Sequence, residues 1–393
     1  MSFPVRLLNT KTYQLFKSDH PEVIKDPRYA ILSHRWLPGE IRLQDLDPTV
    51  FLDTNQPQSD AVNKIRGSCQ QATALPSPLN WLWADTLCID KTNQVEETRS
   101  INAMFDWYRN AEVCFTFLHD IVYPPQPGTS IFKRQPKANG EESNELGGVE
   151  SEWFERGWTL QELLAPERME FYDQNWRFMG ERNSLAPEIE RVTGISSHYL
   201  NGPRNLPEAS VATKFSWMAG RVTGQVEDIA YSMIGLLDIN MMPQYGEGRR
   251  AFMRLQRTLI ETVPDESIFA WTTPRNGLQC FRRPGSHASA IPQWRPQEDR
   301  WRLLAPSPDC FKDSRDVVVI RSLIVHRPGS GYTNAPEDIH LDLAFAAGNS
   351  KWGRGRKSKI DCPLNCWMYN EKGRPETVVL KLRSGEDSWG EAA

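Results

Sequence analysis

The chain has 393 residues, with 46 Lys plus Arg against 50 Asp plus Glu, a formal net charge of -4 and 14 tryptophans. That length exceeds what one ordinary hydrophobic core fills and predicts two or three domains. The near balance of charge argues against a dedicated nucleic-acid binder, which carries a basic excess, and no apolar run reaches the roughly 20 residues that span a bilayer.

The chain opens on MSFPVRLLNT, which lacks the apolar core of a signal peptide and has Ser2 where N-myristoylation needs glycine. A cytoplasmic location is therefore expected. YAILSH (29–34) is a short apolar run with a polar end and predicts a strand. DAVNKIRGSCQQA (60–72) spaces Val62, Ile65 and Cys69 as a helix does. WLWADTLCID (81–90) predicts a second strand ending at Asp90. In ETRSINAMFDWYRNA (97–111), Ile101, Met104, Phe105 and Tyr108 form the stripe of an amphipathic helix. EVCFTFLHD (112–120) is a third apolar strand with polar residues at its end. The stretch from PPQPGTS to KANGEESNELGG reads as a long exposed loop.

RGWTLQELLAP (156–166) predicts a short helix that Pro166 ends. At ~100° per residue, Leu160, Leu163 and Leu164 fall on one side, while Trp158 and Glu162, four apart, share the other. The leucines can anchor the segment while Trp158 and Glu162 point elsewhere. RMEFYD (168–173) follows as a fourth strand.

From about 208 to 262 the pattern is helical, with an apolar DIAYSMIGLLDI and an amphipathic EGRRAFMRLQRTLIETV. Asp228 stands where it can cap or charge the start of the middle helix. Residues 273–310 read as a connection, and DVVVIRSLIV, DIHLDLAFA and ETVVLKLRS as antiparallel strands. KWGRGRKSK (351–359) reads as a solvated basic turn. The expected organisation is an α/β domain over 1–200, a helical extension over 201–275 and a β-rich module over 276–393. The seven cysteines are odd in number and scattered; Cys362 and Cys366 are close, but no second pair or His cluster completes a zinc site. Reduced, mostly buried thiols and no metal are expected.

Strand–helix alternation predicts a mostly parallel sheet with helices on both faces. Ligands of such sheets bind outside the carboxyl ends of the strands. That rule singles out Ser33, His34, Arg35 and Trp36 after the first strand and Asp90, Lys91, Thr92 and Asn93 after the second. His119 and Asp120 follow the third, and Arg156, Trp158 and Glu162 lie near the same rim. The Walker A pattern, a dinucleotide fingerprint after a strand, GxSxG and HExxH are all missing. Most ATPase, hydrolase and zinc-protease readings fall away, and a nucleotide site built from side chains stays open.

YAILSHRW, WLWADTLCIDKTN, INAMFDWYRNAEVCFTFL and WFERGWTLQELLAP occur in this order at fitting distances and together resemble the fungal heterokaryon-incompatibility (HET) domain. VEDIAYSMIGLLDINMMPQYGEGRRAFMRLQ with DESIFAW, and LLAPSPDCF with the later strands, resemble segments that follow this domain in large fungal proteins. HET domains are in turn similar to TIR domains. Ser33, His34 and Arg35 match the TIR first-strand motif, and WTLQEL (158–163) matches the TIR helix motif, with Thr159 in place of its cysteine.

The resemblance implies a TIR-like, flavodoxin-like α/β fold, and Glu162 as the catalytic residue of an NAD+ glycohydrolase, with NAD+ as substrate and no other cofactor. It implies self-association, an incompatibility partner protein and a role in non-self recognition and cell death. Two other readings stay open: a non-enzymatic signalling and oligomerisation module, and a nucleotide sensor that binds without cleaving.

For the enzymatic reading the chemistry is simple. Nicotinamide leaves as a neutral ring, positive charge develops on the ribose, and one carboxylate can stabilise it. Trp158 or Trp36 could stack on a flat ring. Arg35 could pair with a phosphate or serve as a structural salt-bridge partner. Asp85 would bind Arg35 or His34, or line the site. His34 would act as an acid or base, or bond to backbone at the strand end.

Overall fold

The structure is a computed structural model and describes residues 2–53, 59–134, 150–271 and 304–319, together with strand segments between 333 and 392. It divides into two compact units, Met1–Leu206 and Pro207–Ala393.

The first unit opens with a hairpin of β1 (Arg6–Asn9) and β2 (Leu15–Lys17), then α1 (Pro21–Lys25) and β3 (Tyr29–His34). There follow α2 (Pro48–Leu52), α3 (Asp60–Ala74), β4 (Trp81–Trp83), α4 (Asp85–Cys88), α5 (Gln94–Asn110) and β5 (Val113–Phe117). The unit closes with α6 (Thr159–Leu164), β6 (Met169–Tyr172), β7 (Phe178–Glu181), α7 (Arg182–Thr193) and α8 (Ser197–Leu200). The seven strands form one sheet in the order β2-β1-β4-β3-β5-β6-β7. The four central strands are parallel. Antiparallel strands extend them at each edge, β1 beside β4 and β7 beside β6. The sheet is therefore mixed, with the expected parallel strands at its centre.

Each central element has a local cause. Ser59 caps α3 by accepting from the Val62 amide, and Val62, Ile65, Cys69 and Ala72 turn inward. Asn93 caps α5 through the Val95 and Glu96 amides, and the Ile101, Met104, Phe105 and Tyr108 stripe is buried. Many of the tryptophans have gone to the interior: Trp81, Trp83, Trp107 and Trp153 are among the largest fully buried side chains.

Within the first unit, two expectations need correction. The strand expected over 81–90 stops at Trp83, because the Ala84 carbonyl accepts from both the Leu87 and Cys88 amides and turns the chain into α4. The long loop after β5 is not wholly exposed: Phe132 is buried against Phe154 and Phe171, and Lys133 bridges Glu150. Residues 135–149 of that loop lie outside the described residues.

The winding of the parallel strands positions the site. From β3 the chain passes through α3 to β4 on one side, then through α5 to β5 on the other. Right-handed crossovers in these two directions lay α3 and α5 on opposite faces. The reversal opens a crevice between the carboxyl ends of β3 and β5, where a doubly wound sheet binds ligands.

The second unit contains helices at Val211–Met218, Asp228–Tyr231 and Arg250–Thr262. The expected middle helix is therefore a single turn, and Asp228 accepts from the Tyr245 hydroxyl at 2.9 Å. A four-stranded antiparallel sheet joins Val318–Val319, Lys359–Tyr369, Pro375–Ser384 and Trp389–Ala392, and Thr333–Ala335 pairs with Asp338–His340. Most of the connection expected over 273–310 and of the basic turn over 351–359 lies outside the described residues.

Candidate functional site

Helix α6 is only six residues long and all six are buried. Leu160, Leu163 and Leu164 lie in the core as expected. Glu162 is 8% exposed and accepts a hydrogen bond at 2.5 Å from the Ser33 hydroxyl, the next-to-last residue of β3. The Trp153 indole N–H donates to the same Ser33 oxygen at 2.9 Å. Thr159, which replaces the cysteine of the resembled motif, donates at 2.6 Å to the Trp153 carbonyl. The hydroxyl therefore ties the start of α6 to the 3₁₀ turn Glu152–Glu155 and so to the indole that orients Ser33.

Burial raises the Glu162 pKa to about 7, against the opposing effects of the Ser33 hydroxyl, the Arg156 charge and the Tyr108 hydroxyl; the Asp85 charge raises it further. A carboxyl poised there exchanges its proton near neutral pH, as an acid–base or charge-stabilising group requires. Arg156 also donates to the His34 carbonyl at 3.2 Å, fixing the end of β3.

The second cluster surrounds His34. Its Nε2 lies 3.7 Å from Glu40 Oε1 and 3.7 Å from Asp85 Oδ1, and makes no hydrogen bond among the described residues. Burial, then the charges of Lys64, Arg156 and Lys91, hold the His34 pKa well below the ordinary value, so the ring is neutral at pH 7. Lys64 rises from α3 with its ammonium buried and donates to Glu40 at 2.7 Å. Burial lowers its pKa and Glu40 opposes the shift. Glu40 also accepts from the Leu37 amide at 3.0 Å, so the pair clamps the loop that carries Trp36. The Trp36 indole N–H donates to Asp85 at 2.9 Å, and the Lys91 ammonium stands 3.5 Å above the centre of that ring.

Arg35 pairs with Glu152, and Arg134 with Glu152 at 2.8 Å. His119, Asp120 and Glu152 bring three possible ligand atoms within 4.8 Å of one another. Arg134, 3.5 Å from Asp120, and Arg35 already balance these carboxylates, a poor setting for a cation.

Of the residues singled out in the sequence, Ser33 and Glu162 meet directly, and His34 and Trp36 meet around Asp85. Arg35 turns to Glu152, and Trp158 is half-buried at the start of α6. Sequence reasoning missed Glu40, Lys64, Trp153 and Glu152. Lys64 was hidden because lysine on a helix reads as solvated, although it sits between the buried positions Val62 and Ile65.

Residues 29–162 match the family model described as Heterokaryon incompatibility protein (HET). Residues 250–346 match a model described as a domain of unknown function, DUF8212. The chain is 39% identical over 236 residues to the vegetative incompatibility protein HET-E-1 of Podospora anserina, covering 60% of this chain and 16% of that protein. It thus spans about a sixth of the length of the curated relative it matches. No solved structure matches the chain.

Proposed function

The chain is a heterokaryon incompatibility (HET) domain protein, and from that premise we propose that it is an effector of fungal non-self recognition that acts by hydrolysing NAD+. One observation carries the enzymatic part: a buried Glu162, with its pKa at about 7, is held by Ser33 at the carboxyl end of β3 beside the crevice of winding reversal. The name of the relative supports the incompatibility role. The same crevice in a flavodoxin-like winding supports a nucleotide as ligand.

In this reading the bond between ribose C1′ and the ring nitrogen breaks, and its electron pair neutralises the pyridinium. Water adds to C1′ and gives up a proton, so NAD+ and water yield ADP-ribose, nicotinamide and H+. The Glu162 carboxylate balances the charge that develops on the ribose, and can accept the proton from water. Ser33 holds one carboxylate oxygen and so fixes the direction of the carboxylate. Arg35 reaches a pyrophosphate only by giving up Glu152. Association between copies brings the protein to its active state.

The test is nicotinamide release from NAD+ by the purified protein, free and artificially clustered, beside Glu162→Gln. The substitution keeps size and removes charge, and should cost roughly 100- to 1000-fold in rate. A variant that melts normally and cleaves NAD+ at the parental rate removes Glu162 from the mechanism. A clustered parent that releases no nicotinamide and still causes cell death leaves the protein as a signalling module.

A further inference from the structure

We propose that Trp36 and Asp85 form the seat of a flat aromatic cation, and that Lys91 fills this seat until such a ring displaces it. Identifying the ring as the pyridinium of NAD+ rests on the reading above.

The indole N–H of Trp36 bonds Asp85 Oδ2 at 2.9 Å, so an electron-rich face and a carboxylate are locked in one geometry. Both attract positive charge, the face through its quadrupole. The charge that answers them is the ammonium of Lys91, 3.5 Å from the ring centre and 3.8 Å from Asp85 Oδ2. The second distance is that of an ion pair and is too long for a hydrogen bond between the two.

The side chain of Lys91 is 39% exposed, while its backbone is pinned on both sides. Glu96 accepts from the Asp90 amide at 2.9 Å, and Asp90 accepts from the Thr92 amide at 3.0 Å. A compact ammonium is strongly hydrated. A delocalised pyridinium sheds its water more readily and covers more of the indole.

The Asp85 charge acts on the Glu162 carboxyl, and Asp85 Oδ1 lies 3.7 Å from His34 Nε2 at the end of β3. The seat also distinguishes substrate from product. The ring is charged while bonded to ribose and neutral once released, so cleavage removes the attraction that held it.

The experiment is calorimetric titration of the full chain with 1-methylnicotinamide, a permanent pyridinium, and with neutral nicotinamide. Lys91→Gln should bind the cation about 2- to 5-fold more tightly than the parent, and Asp85→Asn more weakly by a similar factor. Neutral nicotinamide should respond to neither substitution. The proposal is overturned if Lys91→Gln binds the cation no better than the parent, or if the neutral ring follows the charged one. Lys91 is exposed, so its comparison stands even if Asp85→Asn fails to fold. The titration is independent of turnover. The expected binding pattern without NAD+ cleavage overturns the catalytic reading alone, and cleavage without the pattern overturns the seat alone.

Discussion

Glu162 occupies a position that works against its own charge. An unfolded glutamate titrates near 4.5, and burial moves this one to about 7. The protonated form is therefore favoured in the folded chain. Its stabilising contribution is fully present below pH 4.5 and is lost as pH rises through about 7. The total is on the order of 3 kcal/mol. Glu162→Gln stays neutral throughout, so its stability relative to the parent should climb between pH 4.5 and 7 and then level. Urea unfolding of both proteins at pH 4.5, 6 and 8 measures the difference; a constant gap means that the carboxyl titrates normally. The rate of NAD+ cleavage should move the opposite way, rising as the carboxylate forms and levelling above about pH 7. A pH–rate profile flat from 5.5 to 8 would place the working ionisation elsewhere.

Two contacts of α3 govern the surroundings of the site. Lys64→Met leaves the Glu40 carboxylate buried without its partner and should cost about 3–5 kcal/mol, whereas Lys64→Met with Glu40→Leu should cost less than the single change. Denaturant midpoints of the three proteins decide this, and a double variant worse than Lys64→Met contradicts it. Gly67, on the same helix, faces Trp176, and a Cβ there would run into the indole. Gly67→Ala gains helix propensity of about 1 kcal/mol and loses about 1–3 kcal/mol to overpacking, so its melting temperature should fall. At the scale of elements, the apolar runs announced the four parallel strands, because strands buried on both faces read as continuous hydrophobic stretches. The hairpin of β1 and β2 went unread: RLLN and LFK are too short to show a period. β4 was read too long because WLWADTLCID is apolar well beyond Trp83, and the helical turn that breaks it depends on the Ala84 carbonyl. Ser33 and Glu162 were legible as neighbours through the resemblance to a two-motif family. The Lys64–Glu40 clamp was not, since a buried ion pair spanning 24 positions leaves no mark on local pattern.

Across the whole molecule, every side chain of the candidate site falls in the unit Met1–Leu206, while the DUF8212 match falls in Pro207–Ala393. A fragment of residues 1–206 should therefore unfold in one cooperative transition. It should also keep the pH-dependent stability gap between the parent fragment and its Glu162→Gln variant. Circular dichroism melts of the two fragments check both points, and a fragment without a cooperative transition would make the site dependent on the rest of the chain. The bond between Ser33 and Glu162 also joins residues 129 apart, and that between Trp153 and Ser33 joins residues 120 apart. Contacts this remote in sequence form late, because the chain pays the loop entropy before the contact rewards it. A nascent or half-folded chain thus carries Glu162 as an ordinary, solvated acid, and the reactive carboxyl comes into being only with the last steps of folding, after the strands that must enclose it are in place.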